Sequence, residues 1–158
     1  VGSGARYLLK QTLHQGSLMS QNDAPAMAHT ISVRVYYEDT DLAGIVYHAN
    51  YLKFMERART ETLRAHGITQ TQQAKDDVYL SVVAMDIAFK APARIDDLLT
   101  VEAVPVSTTG VRATIAQRVL LGERELCTAM VTVVCMNAKG RPVRMPQVVR
   151  DLFPSPDV

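Results

Sequence analysis

The sequence predicts an α+β fold in which a curved, antiparallel five-stranded sheet wraps around one long central helix. Three observations predict it: an alternating segment near the start, a single long stretch with helical spacing, and four later segments rich in β-branched residues separated by short turns. An apolar sheet face and an apolar helix stripe must bury each other, and this order of elements offers the sheet one helix to cover.

The first strand is expected over residues 29–37, where Ile31, Val33, Val35 and Tyr37 alternate with Ser32, Arg34 and Tyr36. From Asn50 the period changes. Tyr51, Met55, Ala58, Thr62 and Ala65 recur at helical intervals, and Leu52 and Leu63 widen the stripe. A helix over 50–66 would be roughly 25 Å long. Asn50 is expected to cap its free N–H groups, and Gly67 to take the left-handed conformation after its last turn. The polar stretch 69–77 reads as a connection.

Strands are then expected over 78–89, 98–106, 111–121 and 125–137, each rich in β-branched residues. The segments between them, 91–97, 107–110, 122–123 and 138–140, are turn-like, so consecutive strands are expected to pair mainly as antiparallel neighbours in a four-strand meander. Pro105 belongs at a strand end, an edge or a bulge. Pro146 suits the first turn of a short closing helix that runs to about Leu152.

Composition narrows the class. Hydrophobic residues make up 47% of the 158 and charged residues 21%, values of a globular chain rather than of a disordered or membrane-embedded one. A net charge of +1 argues against a broad nucleic-acid surface. Residues 27–158 read as a single domain. Residues 1–26 read as a flexible N-terminal extension or an artificial remnant, since Val1-Gly2-Ser3-Gly4 is linker-like and Tyr7-Leu8-Leu9 is too short an apolar run for a signal peptide or a membrane span. Cys127 and Cys135 fall in one expected strand, about 26 Å apart at strand rise, which is beyond disulfide reach and fits a reducing compartment.

The chemistry concentrates in residues 36–51, where a strand ends in acids and leads through a glycine turn into a helix. A carboxylate just before a helix start lies near N–H groups that have no intrahelical partner, and those donors stabilise negative charge developing on a substrate oxygen. That pairing suits acyl-group hydrolysis. Residue type and spacing leave two roles open for each candidate: an aspartate here is also a turn former, and a histidine at a helix start is also a solvent-facing side chain. Cys127 alternates with apolar neighbours and reads as a buried structural thiol. His14, His29 and His66 read as structural, His66 complementing the helix dipole. Tyr36, Tyr47 and Tyr51 read as core or interface residues.

The run Tyr37-Glu38-Asp39-Thr40-Asp41-Leu42-Ala43-Gly44-Ile45-Val46-Tyr47-His48-Ala49-Asn50-Tyr51 closely resembles the signature of the 4-hydroxybenzoyl-CoA thioesterase family of hotdog-fold enzymes. Residues 53–61 and 91–101 are similar to its Tol-Pal-associated acyl-CoA thioesterase branch, and the resemblance spans residues 30–151. It implies hydrolysis of short- or medium-chain acyl-CoA thioesters to free acid and CoA, without metal or cofactor. Asp41 would be nucleophile or general base, and the backbone N–H at His48 would polarise the thioester carbonyl. The His48 ring and Tyr37 would join the site. Asp39 does not match the family's catalytic carboxylate and reads as turn-forming or hydrogen-bonding support, and Glu38 stays unassigned. Lys90, Arg94, Arg141 and Arg144 are candidates for the CoA phosphates.

The resemblance further implies a cytoplasmic homodimer or homotetramer, with envelope or lipid-synthesis proteins as possible partners and with neither nucleic-acid binding nor membrane insertion. Two alternatives stand beside hydrolysis: a hotdog hydratase or dehydratase acting on acyl thioesters, and an acyl-CoA-binding adaptor with little turnover.

Overall fold

A computed structural model describes residues 28–154. The expected extension over 1–26, with His14, lies outside them. Strand β1, His29–Arg34, ends three residues earlier than expected. Val35 still bonds in extended fashion to the loop beside it, through Asp97 O (2.9 Å) and Asp96 N–H (3.0 Å). The Asp39 carboxylate then accepts the Tyr36 N–H at 2.9 Å and winds Tyr37–Asp39 into a 3-10 turn. A local side-chain acceptor thus outcompetes the ladder that alternation suggested.

Helix α1, His48–Ala65, starts two residues before the expected position, with Tyr47 rather than Asn50 as its N-cap. Asn50 is instead buried in the first turn, where its Nδ2 donates to Asp39 O at 2.8 Å. Gly67 does end the helix in the left-handed conformation, at φ +74°. The stretch expected as a connection contains a second helix, α2, Gln70–Lys75, whose N-cap Thr69 accepts the Gln72 N–H through its hydroxyl. Strands β2 Tyr79–Phe89, β3 Leu98–Thr108, β4 Arg112–Leu121 and β5 Arg124–Met136 follow. Helix α3, Gln147–Arg150, has Pro146 as its N-cap.

All strand pairs are antiparallel and the order is β1-β3-β4-β5-β2. The meander therefore holds for β3, β4 and β5 but not for β2, which lies along the far side of β5. The physical reason is edge occupancy: β1 takes one side of β3 (Ile31↔Val101) and β4 the other (Val101↔Val119), so β2 must find the free edge of β5. Lys90 N–H and Ala91 N–H, both bonded to Leu126 O, start the connection that carries the chain across to β3. Pro105 sits at a β-bulge between Pro105 and Ser107, one of its expected places.

Helix α1 packs on β1, β3 and β4. Its Phe54, Met55 and Ala58 are fully buried, as are Leu99 and Val101 of β3, Val119 of β4 and Val131 of β5. One buried polar side chain also bolts the helix to the sheet: Gln117 of β4 donates to Met55 O at 2.9 Å and accepts from the Arg59 guanidinium at 2.6 Å. Among the described residues no helix is long and apolar enough to cross a membrane.

Cys127 and Cys135 are buried and unpaired. Burial pushes the Cys127 thiol up to about 12, against a smaller opposing effect of the Lys90 charge, and raises Cys135 as well. In the unfolded chain these thiols ionise near pH 8.5. Above that pH the unfolded state loses protons that the folded state keeps, so this contribution to stability is complete below about pH 8.5 and is lost as pH rises towards 12. Urea midpoints at pH 7 and pH 10 are expected to differ less for Cys127→Ala than for the parent. An unchanged difference would place the alkaline loss elsewhere.

Candidate active site

The site is assembled by one short loop between β1 and α1. Its hub is Asp39, whose main-chain carbonyl accepts both the Tyr47 N–H (2.9 Å) and the Asn50 amide (2.8 Å). One peptide oxygen thereby holds the start of α1 against the end of β1. Beyond it, Thr40 and Val46 form an isolated antiparallel bridge, and the Asp41 N–H bonds to Ile45 O at 2.9 Å. Gly44, at φ +72°, supplies the left-handed residue that this tight return needs. Val46 N–H bonds to Ala93 O, which fastens the loop to the β2–β3 connection.

Asp41 projects from this return and is exposed. Its Oδ1 accepts the Ala43 N–H at 2.8 Å, an Asx-type bond that sets the side-chain direction, while Oδ2 has no hydrogen-bond partner among the described residues. Asp41, Leu42, Ala43 and Tyr47 line an open surface depression. A more enclosed and largely apolar cavity of about 200 Å³ lies elsewhere, under the C-terminal half of α1, with Leu63, Ile115 and Val133 among its walls. The acid and this enclosed cavity are thus separate features of the protomer.

His48 is the first residue of α1. Neither its N–H nor that of Ala49 has an acceptor among the described residues, whereas the Asn50 N–H turns back to Tyr47 O at 2.8 Å. Two free donors therefore mark the positive end of the helix. The exposed His48 ring lies between aromatic neighbours, 4.5 Å from Tyr47 and 6.0 Å from Phe89 between ring centroids.

Tyr37 lies on the 3-10 turn and is 83% exposed; its carbonyl accepts the Thr40 hydroxyl at 2.8 Å, and it does not line the depression beside Asp41. Asp39 is the supporting acid, through the Tyr36 and helix-start bonds. Glu38 is exposed and has no hydrogen bond among the described residues. Lys90 is engaged in an ion pair with Glu125, while Arg94, Arg141 and Arg144 are exposed.

Two positioning residues were not read from the sequence. Asn50 was expected to cap the helix, yet its amide ties α1 to Asp39. Tyr51, expected in the apolar stripe, accepts the Ala93 N–H on its hydroxyl at 3.0 Å while its ring lies 5.7 Å from that of Phe89. Burial raises the Tyr51 phenol, against a smaller opposing effect of the Ala93 N–H that it accepts, so it stays protonated. A polar tip on a residue otherwise placed in the stripe was the signal available.

A carboxylate on the loop that leads into a helix N-terminus, with an antiparallel sheet packed over that helix, matches a hotdog-type hydrolase scaffold. Solved structures agree. A probable thioesterase from Bartonella henselae is 41% identical and superposes with a TM-score of 0.73, covering 75% of this chain and 99% of its own. A 1,4-dihydroxy-2-naphthoyl-CoA thioesterase from Synechocystis, 24% identical, shares the fold with a TM-score of 0.75, covering 80% of this chain and 95% of its own.

Residues 35–153 match the thioesterase-like superfamily, and the chain belongs to it. It is a thioester hydrolase. Among its relatives is the acyl-CoA thioester hydrolase YbgC of Escherichia coli O6:H1, 42% identical over 119 residues that cover 74% of this chain and 89% of the relative. The acyl-CoA thioesterase YbgC of Haemophilus influenzae is 42% identical over 123 residues, 77% of this chain and 90% of its own.

Proposed function

We propose that the protein hydrolyses short- or medium-chain acyl-CoA thioesters to the free acid and CoA, with Asp41 as the catalytic carboxylate. The observation that carries this is Asp41 itself: one oxygen is held by Ala43, the other is uncommitted, and the loop that bears it leads directly into free helix N–H groups. The names of the two YbgC relatives support CoA esters as the substrate class.

A thioester is an activated acyl group, so a carboxylate and an oriented water suffice. As general base, Asp41 takes a proton from water while the water oxygen bonds to the carbonyl carbon. The C–S electron pair then leaves with sulfur, which is protonated as the CoA thiol. As nucleophile, Asp41 instead forms a mixed anhydride, expels the thiolate and is regenerated by water. In both routes the carbonyl oxygen gains negative charge, and the His48 N–H is the donor proposed to meet it. The His48 ring and the Tyr37 phenol are proposed as additional contacts to the thioester.

The same proposal includes assembly as a homodimer or homotetramer. Tyr79, Val82, Val83 and Phe89 on edge strand β2 are each between 39% and 49% exposed, and Leu42 and Tyr47 beside Asp41 are exposed too. An apolar unpaired edge of this kind is a template for a second strand, and a second copy would enclose the open depression. Light scattering is expected to show a dimer or tetramer; a strictly monomeric active protein would sink the shared interface. Two buried, unpaired cysteines support a reducing compartment, the cytoplasm, testable by cell fractionation.

Thiol release from a panel of acyl-CoA esters tests the activity, and short or medium chains are expected to turn over fastest. A double bond formed or consumed without thiol release would establish a hydratase or dehydratase. Tight binding with negligible release would establish an adaptor.

A further inference from the structure

We propose that Phe89 is a positioning residue of the active site, its ring holding the His48 imidazole in place at the start of α1. The inference rests on the reading of that imidazole as a contact to the thioester.

An exposed histidine at a helix start turns freely among its rotamers unless something holds it. Hydrogen bonds do not hold this one. Among the described residues the His66 ring bonds to Thr62 O, whereas the His48 ring has no hydrogen-bond partner. It lies instead against two aromatic side chains, Tyr47 at 4.5 Å between ring centroids and Phe89 at 6.0 Å, the second edge-on at 81°. Tyr47 is the preceding residue and is itself exposed, so it offers no anchorage outside the loop. Phe89 comes from a different element, the end of β2.

Both the backbone and the ring of Phe89 are anchored. Its backbone pairs with Cys127 of β5, and the next two N–H groups, of Lys90 and Ala91, both bond to Leu126 O, at 2.8 and 3.2 Å. Its ring meets that of Tyr51 at 5.7 Å and 63°. Tyr51 is buried, its hydroxyl accepts the Ala93 N–H at 3.0 Å, and its ring lies 6.1 Å from that of the fully buried Phe54. His48 and Tyr51 stand three residues apart and so share one face of α1, where the Phe89 ring bridges them. A row of rings, Phe54, Tyr51, Phe89 and His48, thus runs from the core to the site.

Holding a ring by packing has a chemical consequence that a hydrogen bond would not have. Edge-on aromatic pairs are directional, because the positive rim of one ring seeks the negative face of another. Such a contact orients the imidazole and leaves both of its nitrogens without a protein partner, so either can meet the thioester or carry a proton.

Phe89→Leu, which keeps an apolar side chain but removes the ring, tests this. With ¹³C-labelled histidine and phenylalanine, the unsubstituted protein is expected to show nuclear Overhauser contacts between the His48 and Phe89 rings. In Phe89→Leu, ¹³C relaxation should report a more mobile His48 ring. Turnover of an acyl-CoA ester should fall about three- to tenfold, the effect of losing one aromatic pair, with KM little changed, and Phe89→Tyr, which keeps the ring, should restore it. In a His48→Ala background Phe89→Leu should cost no further turnover, since the ring it positions is gone. Light scattering checks that each variant keeps the parent's assembly, because Phe89 also lies on the edge offered to a second copy. Should Phe89→Leu fail to fold or assemble, the ring contacts in the unsubstituted protein decide. The proposal is overturned if those contacts are absent, if His48 mobility is unchanged in Phe89→Leu, or if Phe89→Leu costs as much without the His48 ring as with it. Parental turnover in His48→Ala would instead remove that ring from the thioester, while contacts and mobility still read whether Phe89 holds it.

Discussion

Asp41→Asn is expected to lower turnover by about 10²–10⁴-fold, the range for loss of a positioned general base. The amide can neither accept the proton from water nor form an anhydride, so both routes open to Asp41 are closed. Its oxygen can still accept the Ala43 N–H, so the return between Thr40 and Val46 should keep its shape. The loss should therefore fall on kcat while the melting temperature stays near that of the parent. Single-turnover hydrolysis in ¹⁸O-labelled water, with a parallel hydroxylamine trap, divides the two routes in the parent protein. Label in the Asp41 carboxylate, or a hydroxamate trapped at Asp41, indicates an anhydride; label in the released acid alone with no trapped Asp41 indicates attack by water. Turnover within about threefold of the parent would remove Asp41 from the chemistry, because the smallest effect expected of a general base is far larger.

Phe54→Ala is expected to destabilise the fold by about 3–5 kcal/mol, the usual range for emptying a fully buried aromatic position. Phe54 is 0% exposed on the sheet-facing side of α1, its ring lies 6.1 Å from that of Tyr51, and the Arg57 guanidinium lies 6.0 Å from its centroid. Single domains have only about 5–15 kcal/mol of stability, so this one side chain accounts for a large share. Urea denaturation reads the change as a lower midpoint at an unchanged slope. Activity should fall with it, because the same helix carries the free donors at His48. A loss below about 1 kcal/mol would mean that the helix and sheet close over the vacated volume, contrary to the tight packing of a fully buried ring.

The sequence by itself determined the identity of the helix, most strand limits and the place of Asp41, the acid proposed as catalytic. Tyr51, Met55, Ala58 and Thr62 mark the buried face of α1 because a helix repeats its face every three to four residues, a property written locally. Gly67 and Pro105 were legible for the same reason, since backbone conformation and a missing N–H belong to one residue. Asp41 was legible because a short run places it before the helix start.

Only the tertiary structure decided how distant pieces meet. The expected meander broke at β2 because alternation tells which face a strand buries and not which edge it finds; β1 and β4 had already filled both sides of β3. Strand β1 stopped early because the Asp39 carboxylate took the Tyr36 N–H, and Asn50 left its expected capping role because its amide reached the Asp39 carbonyl 11 residues earlier. Each of these outcomes is a contest among hydrogen-bond acceptors and strand edges far apart in the chain, and such contests are settled by proximity in the folded state rather than by any local period.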